Sequence, residues 1–136
     1  MKALPLFLFL FLFLFGLPTK SNAQAIRLKT SSVSYSERSK TGKWANWSDF
    51  AKAELVITID GKKNRIVVNS PELQVFTIKA YGEKIETETE KTVPFECTDH
   101  NGSNCTILVI TKKKENNRMQ FYINYNEVKF VYNIYN

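Results

Sequence analysis

The chain reads as an all-β protein, an antiparallel up-and-down barrel or sandwich of about 7-8 strands with a short aromatic N-terminal helix or flap. Three observations predict this. From Glu54 onward, apolar residues recur at every second position rather than at helical spacing. Short polar or glycine-containing turn signals separate the runs, at 61–64, 70–72, 82–83, 112–118 and 126–127. Both cysteines flank one such turn in the stretch FECTDHNGSNCTILVIT, from Phe95 to Thr111.

Residues 1–23 are expected to precede the fold. Lys2, the apolar run Leu4 to Leu17 and the polar stretch Pro18 to Ala23 have the order of an export signal cleaved after Ala23. A helix of ~14 residues spans about 21 Å, short of the roughly 30 Å of bilayer hydrocarbon, so a membrane-spanning anchor is not expected. The expected product is a secreted or periplasmic domain, residues 24–136. The whole chain carries 19 Lys and Arg against 13 Asp and Glu, a net charge of +6. Without Lys2 and Lys20 the balance falls to about +4.

Within residues 24–53, Ile26, Leu28, Val33 and Tyr35 alternate weakly, as in one edge strand. Residues 36–41 are polar and basic, and read as a loop. Trp44, Trp47 and Phe50 follow at three-residue spacing, which places them on one face of a helical turn; alternatively, Ser48 or Asp49 would cap a short helix through Ala53. The expected role is a plug or flap over one end or face of a sheet.

Residues 54–136 form the expected β core. Leu55, Ile57 and Ile59 share a face, and Ile66 and Val68 return after the turn at 61–64. Phe76, Ile78 and Ala80 line one side of the next strand. Glu86, Glu88 and Glu90 share a face that must be solvated, because burying three neighbouring carboxylates is costly. Pro94 predicts a bulge or an edge. Ile107 to Ile110 is apolar on both faces and reads as central. Met119, Phe121, Ile123 and Tyr125 form the following strand, and Val128, Phe130, Tyr132 and Ile134 the last.

The cysteine stretch predicts a hairpin with the loop His100-Asn101-Gly102, in which Cys97 faces Cys105. Gly102 then occupies the position that needs a positive φ, which glycine accepts at little cost. A two-residue Asn101-Gly102 turn would instead leave the cysteines diagonal. Facing residues of an antiparallel pair lie within reach of a disulfide, and an oxidising compartment permits one. The expected Cys97–Cys105 bond would contribute about 2–3 kcal/mol at best.

Residues with catalytic or metal-binding chemistry are sparse. His100 is the single histidine, whereas a metal site needs three or four converging ligands. No serine sits in a G-x-S-x-G elbow, and no glycine-rich strand-to-helix turn is present to hold phosphates. Asp49, Glu54 and Asp60 are near each other in sequence, a pairing that any β surface offers. Catalysis, cofactors and a nucleic-acid partner are therefore not expected.

Two groups of residues remain as binding candidates. If the strands run up and down, the turns 61–64, 82–83 and 112–118 share one end. They would set Lys62, Lys63, Lys112, Lys113, Lys114 and Arg118, with Lys84, in a basic rim suited to an anionic lipid or glycan. Glu72, Asp99 and Glu127 fall at the other end. The second group is aromatic. Trp44, Trp47, Tyr122, Tyr125 and Tyr132, with Tyr81 and Tyr135, could line a pocket for a small apolar ligand. A protein partner or inhibitor target, such as an envelope protein, met through loops and sheet edges is the alternative.

Gly42-Lys43-Trp44 resembles the G-x-W that opens many lipocalins, a calycin likeness. Over most of the chain after Ala23, four stretches resemble a group of small exported proteins of Bacteroidota. They are WANW at 44–47, FECTDHNGSNCTI at 95–107, QFYINY at 120–125 and VYNIY at 131–135. That resemblance implies a secreted or periplasmic location and carries no assigned activity.

Overall fold

Ten strands follow one another along the chain, and the described residues contain no helix. The computed structural model describes residues 25–135; the export signal expected at 1–23 lies outside them. The strands are β1 (Ile26–Glu37), β2 (Ala51–Lys52), β3 (Val56–Asp60), β4 (Arg65–Asn69) and β5 (Leu73–Tyr81). They continue with β6 (Ile85–Glu86), β7 (Glu90–Thr98), β8 (Asn104–Lys112), β9 (Arg118–Asn124) and β10 (Val128–Ile134).

Neighbours run in the order β10-β9-β8-β7-β5-β4-β3-β1, and β10 pairs back onto β1. Eight antiparallel strands thus close a barrel, with β2 added to β1 and β6 to β7. Closure decides the choice left open by the sequence between barrel and sandwich. It also removes the unpaired edges that β10 and β1 would otherwise present.

Period-two alternation sets the inside of the barrel. Ile57, Ile66, Phe76, Ile107, Phe121 and Ile123 are all at or below 2% exposure, so the interior is packed with side chains rather than hollow. An eight-stranded barrel is just narrow enough for side chains to fill. Arg65, Glu96, Thr106 and Lys129 point outward. An apolar inside with charges outside is the reverse of a barrel that faces lipid.

The segment read as an aromatic helix is instead extended. β1 has twelve residues and β3 only five, so the β3 edge of β1 runs out of partner beyond Lys29. Residues 44–53 supply one. Ala45 N–H donates to Glu37 O at 2.8 Å, Ser48 N–H to Tyr35 O at 2.8 Å and Ala53 N–H to Ser31 O at 3.0 Å. This run leads into β3, and the two together return along β1, with Ile26 opposite Ile59 at the base, Ser32 opposite Lys52 midway and Arg38 opposite Trp44 at the tip. Partners borrowed from β1 satisfy the backbone without a helical turn, which is why the three-residue aromatic spacing misleads.

A register shift between Thr30 and Ser32 turns the outer part of β1 over. Beyond it Val33 faces inward beside Tyr132, while Ser34 and Ser36 face outward, under the strap of residues 44–53. Both serines are nearly fully buried, at 0% and 2% exposure. Ser34 Oγ donates to Ser48 O and Ser36 Oγ to Ala45 O, each at 2.6 Å. Small hydroxyl side chains let the strap lie close and satisfy its carbonyls.

The cysteine hairpin matches its expected register. Cys97 faces Cys105, Thr98 faces Asn104, and Gly102 has φ +84°. In this structure the two cysteines face each other as buried thiols, with no bond between them. Asp99 N–H donates to Ser103 O at 2.9 Å, so alternation makes Cys97/Cys105 another hydrogen-bonded pair. The same alternation accommodates Pro94, whose ring nitrogen points away from β8.

Candidate ligand-binding mouth

Three turns meet at one end of the barrel, those between β4 and β5, β7 and β8, and β9 and β10. They surround an open depression of about 770 Å³, within the ~300–1,000 Å³ of small-molecule sites. Ile123 and Tyr132, at 2% and 7% exposure, form its floor, with the half-buried Val128, Phe130 and Tyr125 on the wall. Around the rim stand Glu72, Gln74, Asp99, His100, Asn126 and Glu127, with Asn101, Ser103 and Asn104 from the hairpin loop.

Asp99 organises this end. Its Oδ1 accepts the N–H groups of Asn101 and Ser103, both at 2.9 Å, and its Oδ2 accepts the Tyr125 hydroxyl at 2.8 Å. Burial pushes the carboxyl pKa up, but those bonds from Ser103, Tyr125 and Asn101, with nearby His100, outweigh it and hold it below the usual value. The carboxylate therefore stays ionised at neutral pH. Burial, then the bond to Asp99, raises the Tyr125 phenol, which stays protonated as the donor. Burial alone raises Tyr132.

The two cysteines lie just inside the hairpin. Burial pushes Cys97 up to about 12, aided by Cys105 and Glu96. Cys105 rises to about 11 through burial, with Asp99 and Glu96 adding to it. The thiolate is the reactive form, so neither sulfur is activated. Among the described residues, no three His, Cys, Asp or Glu side chains converge as metal ligands.

The structure divides the aromatic residues singled out from the sequence. Tyr125 and Tyr132 line the mouth. Tyr122 faces outward on β9, where Trp47 meets it edge-on at 6.3 Å between ring centroids. Trp44 lies on the same outer side, with Lys129 Nζ 4.1 Å from its ring centroid and 5.5 Å from that of Trp47. These contacts fasten the strap over β10 and β9.

The basic turns do share the opposite end, as up-and-down strands require. Much of their charge is paired there. Lys113 lies 2.6 Å from Glu86, Lys112 3.3 Å from Glu90, Lys84 3.9 Å from Glu86 and Arg118 2.9 Å from Glu115. Among the described residues, Lys62, Lys63 and Lys114 have no such partner.

Sequence reasoning placed Glu72, Asp99 and Glu127 at one end but did not recognise a site there. The signal was available in the alternation of turns. Gln74, Val128 and Phe130 were legible only as strand residues, because their convergence needs a closed barrel. No family model, curated protein or solved structure matches the chain.

Proposed function

We propose that this barrel is a non-catalytic binding module that takes a small, largely apolar ligand in its mouth. One observation carries the reading: an open depression with an apolar floor sits on an interior that is otherwise filled. The floor offers apolar contact and the rim a few polar groups that would orient the ligand. Export of the protein, grounded on residues 1–23, would place it outside the cytoplasm.

A neutral fluorescent probe such as N-phenylnaphthylamine tests this. Binding should fall roughly tenfold in Val128→Asp, which sets a charge in the mouth, and stay unchanged in Trp47→Ala. Loss with Trp47→Ala alone would move the site to the strap and sink the proposal. That second reading, a protein partner docking on the strap, rests on the exposure of Trp44, Trp47 and Phe50 at 37%, 43% and 49%. A third, an anionic lipid or glycan at the basic end, rests on Lys62, Lys63 and Lys114, which have no ion-pair partner among the described residues.

A further inference from the structure

The charges of the mouth run against those of the whole chain. The chain carries net charge +6, yet the charged residues lining the depression are Glu72, Asp99 and Glu127, with His100 and no Lys or Arg. Arg38, Lys40, Lys43 and Lys129 belong to the same end but do not line this depression; Arg38 and Lys40 line a neighbouring one with Asn126 and Glu127. Lys129 lies over the strap tryptophans on the outside, and Arg38 donates to Gly42 O at 3.2 Å and Asn126 Oδ1 at 3.3 Å.

We infer that the ligand of the mouth carries a cationic amine or ammonium head on an apolar body; this rests on the mouth being the binding site. The Tyr125 hydroxyl already donates to Asp99, so it offers an incoming group only an acceptor. Glu72 and Glu127 are exposed and, among the described residues, have no ion-pair partner. Acceptor oxygens of three carboxylates therefore surround an aromatic and aliphatic floor. A cation in the mouth would lie among the aromatic side chains of Tyr125 and Phe130 as well as the carboxylates, and an aromatic ring attracts a cation over its face. A carboxylate or phosphate head would meet like charge, in a concave site that concentrates the field.

Three probes of equal chain length separate the terms: octyltrimethylammonium, octanol and octanoate, titrated into the protein and followed by amide NMR shifts. The ammonium compound should bind roughly tenfold tighter than octanol, with octanoate weakest, and shift the amides of Asn101, Asn104 and Asn126. The double variant Glu72→Gln/Glu127→Gln should narrow that preference, with spectral changes in the free protein confined to the two turns that carry the substitutions. Equal affinities for all three probes, still mapped to the mouth, would overturn the cationic head and leave the binding module standing. Shifts confined to the strap, or no binding of any probe, would overturn both.

Discussion

The two ends of the barrel are built from the same kind of part and have opposite electrostatics. At the end holding the 61–64 and 113–117 turns, lysines dominate the sequence, but strand pairing brings glutamates beside them. Glu90 faces Lys112 across β7 and β8, and Glu86 on β6 reaches Lys113. Such exposed pairs add little stability each, but they cancel much of the field. At the mouth the lining acids have no such partners among the described residues. The number of charges in a turn is therefore a poor guide to the field at a site; the residue opposite decides it.

The ends differ in packing too, and the same substitution probes both. Gly82, at the basic end, lies against Pro94: an added Cβ would stand 2.5 Å from Pro94 Cγ and 3.3 Å from its carbonyl oxygen. Gly82→Ala should cost about 3 kcal/mol in urea unfolding, because a rigid ring and backbone must both shift. Gly102, at the mouth, has open space around it but φ +84°. Gly102→Ala should cost only about 1 kcal/mol, from backbone conformation alone. Equal losses would mean that the Pro94 contact yields and that the basic end is no tighter than the mouth.

A smaller gap between the ends concerns the thiols beneath the mouth. We propose that, in an oxidising compartment, Cys97 and Cys105 join during folding by thiol–disulfide exchange with an oxidised disulfide partner, which leaves as the dithiol, before the barrel buries them. Closure would add about 2 kcal/mol over the reduced protein. Once folded and reduced, both thiols should resist alkylation at pH 8, because burial holds Cys97 near 12 and Cys105 near 11. Mass analysis of alkylated native and denatured samples measures this. Rapid labelling of the native protein would show that the mouth opens to the core.

The smallest effect is electrostatic and local. Lys113 holds the Glu86 carboxyl below its ordinary value, first through its hydrogen bond and then through its charge. Lys113→Ala should return the Glu86 pKa upward in an NMR titration, with little change in stability. For Asp99, whose pKa is also lowered in the fold, the sign gives stability present above the usual carboxylate range and lost as pH falls through the lowered value. Acid should therefore loosen the mouth hairpin more than the opposite turns.

The register and turn of the cysteine hairpin were legible because their determinants are local. Asp99 binds its own loop, Gly102 takes the positive φ, and the register follows from loop length. Tyr125 and Tyr132 were recognised as candidates, but nothing in their spacing separated them from Tyr122. One residue of difference along β9 sends Tyr122 out and Ile123 in. Trp44 and Trp47 read as a helical face because three-residue spacing carries no information about a partner 10 or so residues back along the chain.

By itself the sequence determined the period-two alternation of the core strands after Glu54, the hairpin turns and which turns share an end, since each depends on residues close together in the chain. Tertiary structure decided that β10 closes onto β1, that β1 turns over at Ser31 and that residues 44–53 strap its outer side. It also decided which charges at the two ends find partners. Those features depend on backbone groups far apart in sequence, and they form only where the closed barrel leaves an edge, a face or a carboxylate without a local partner.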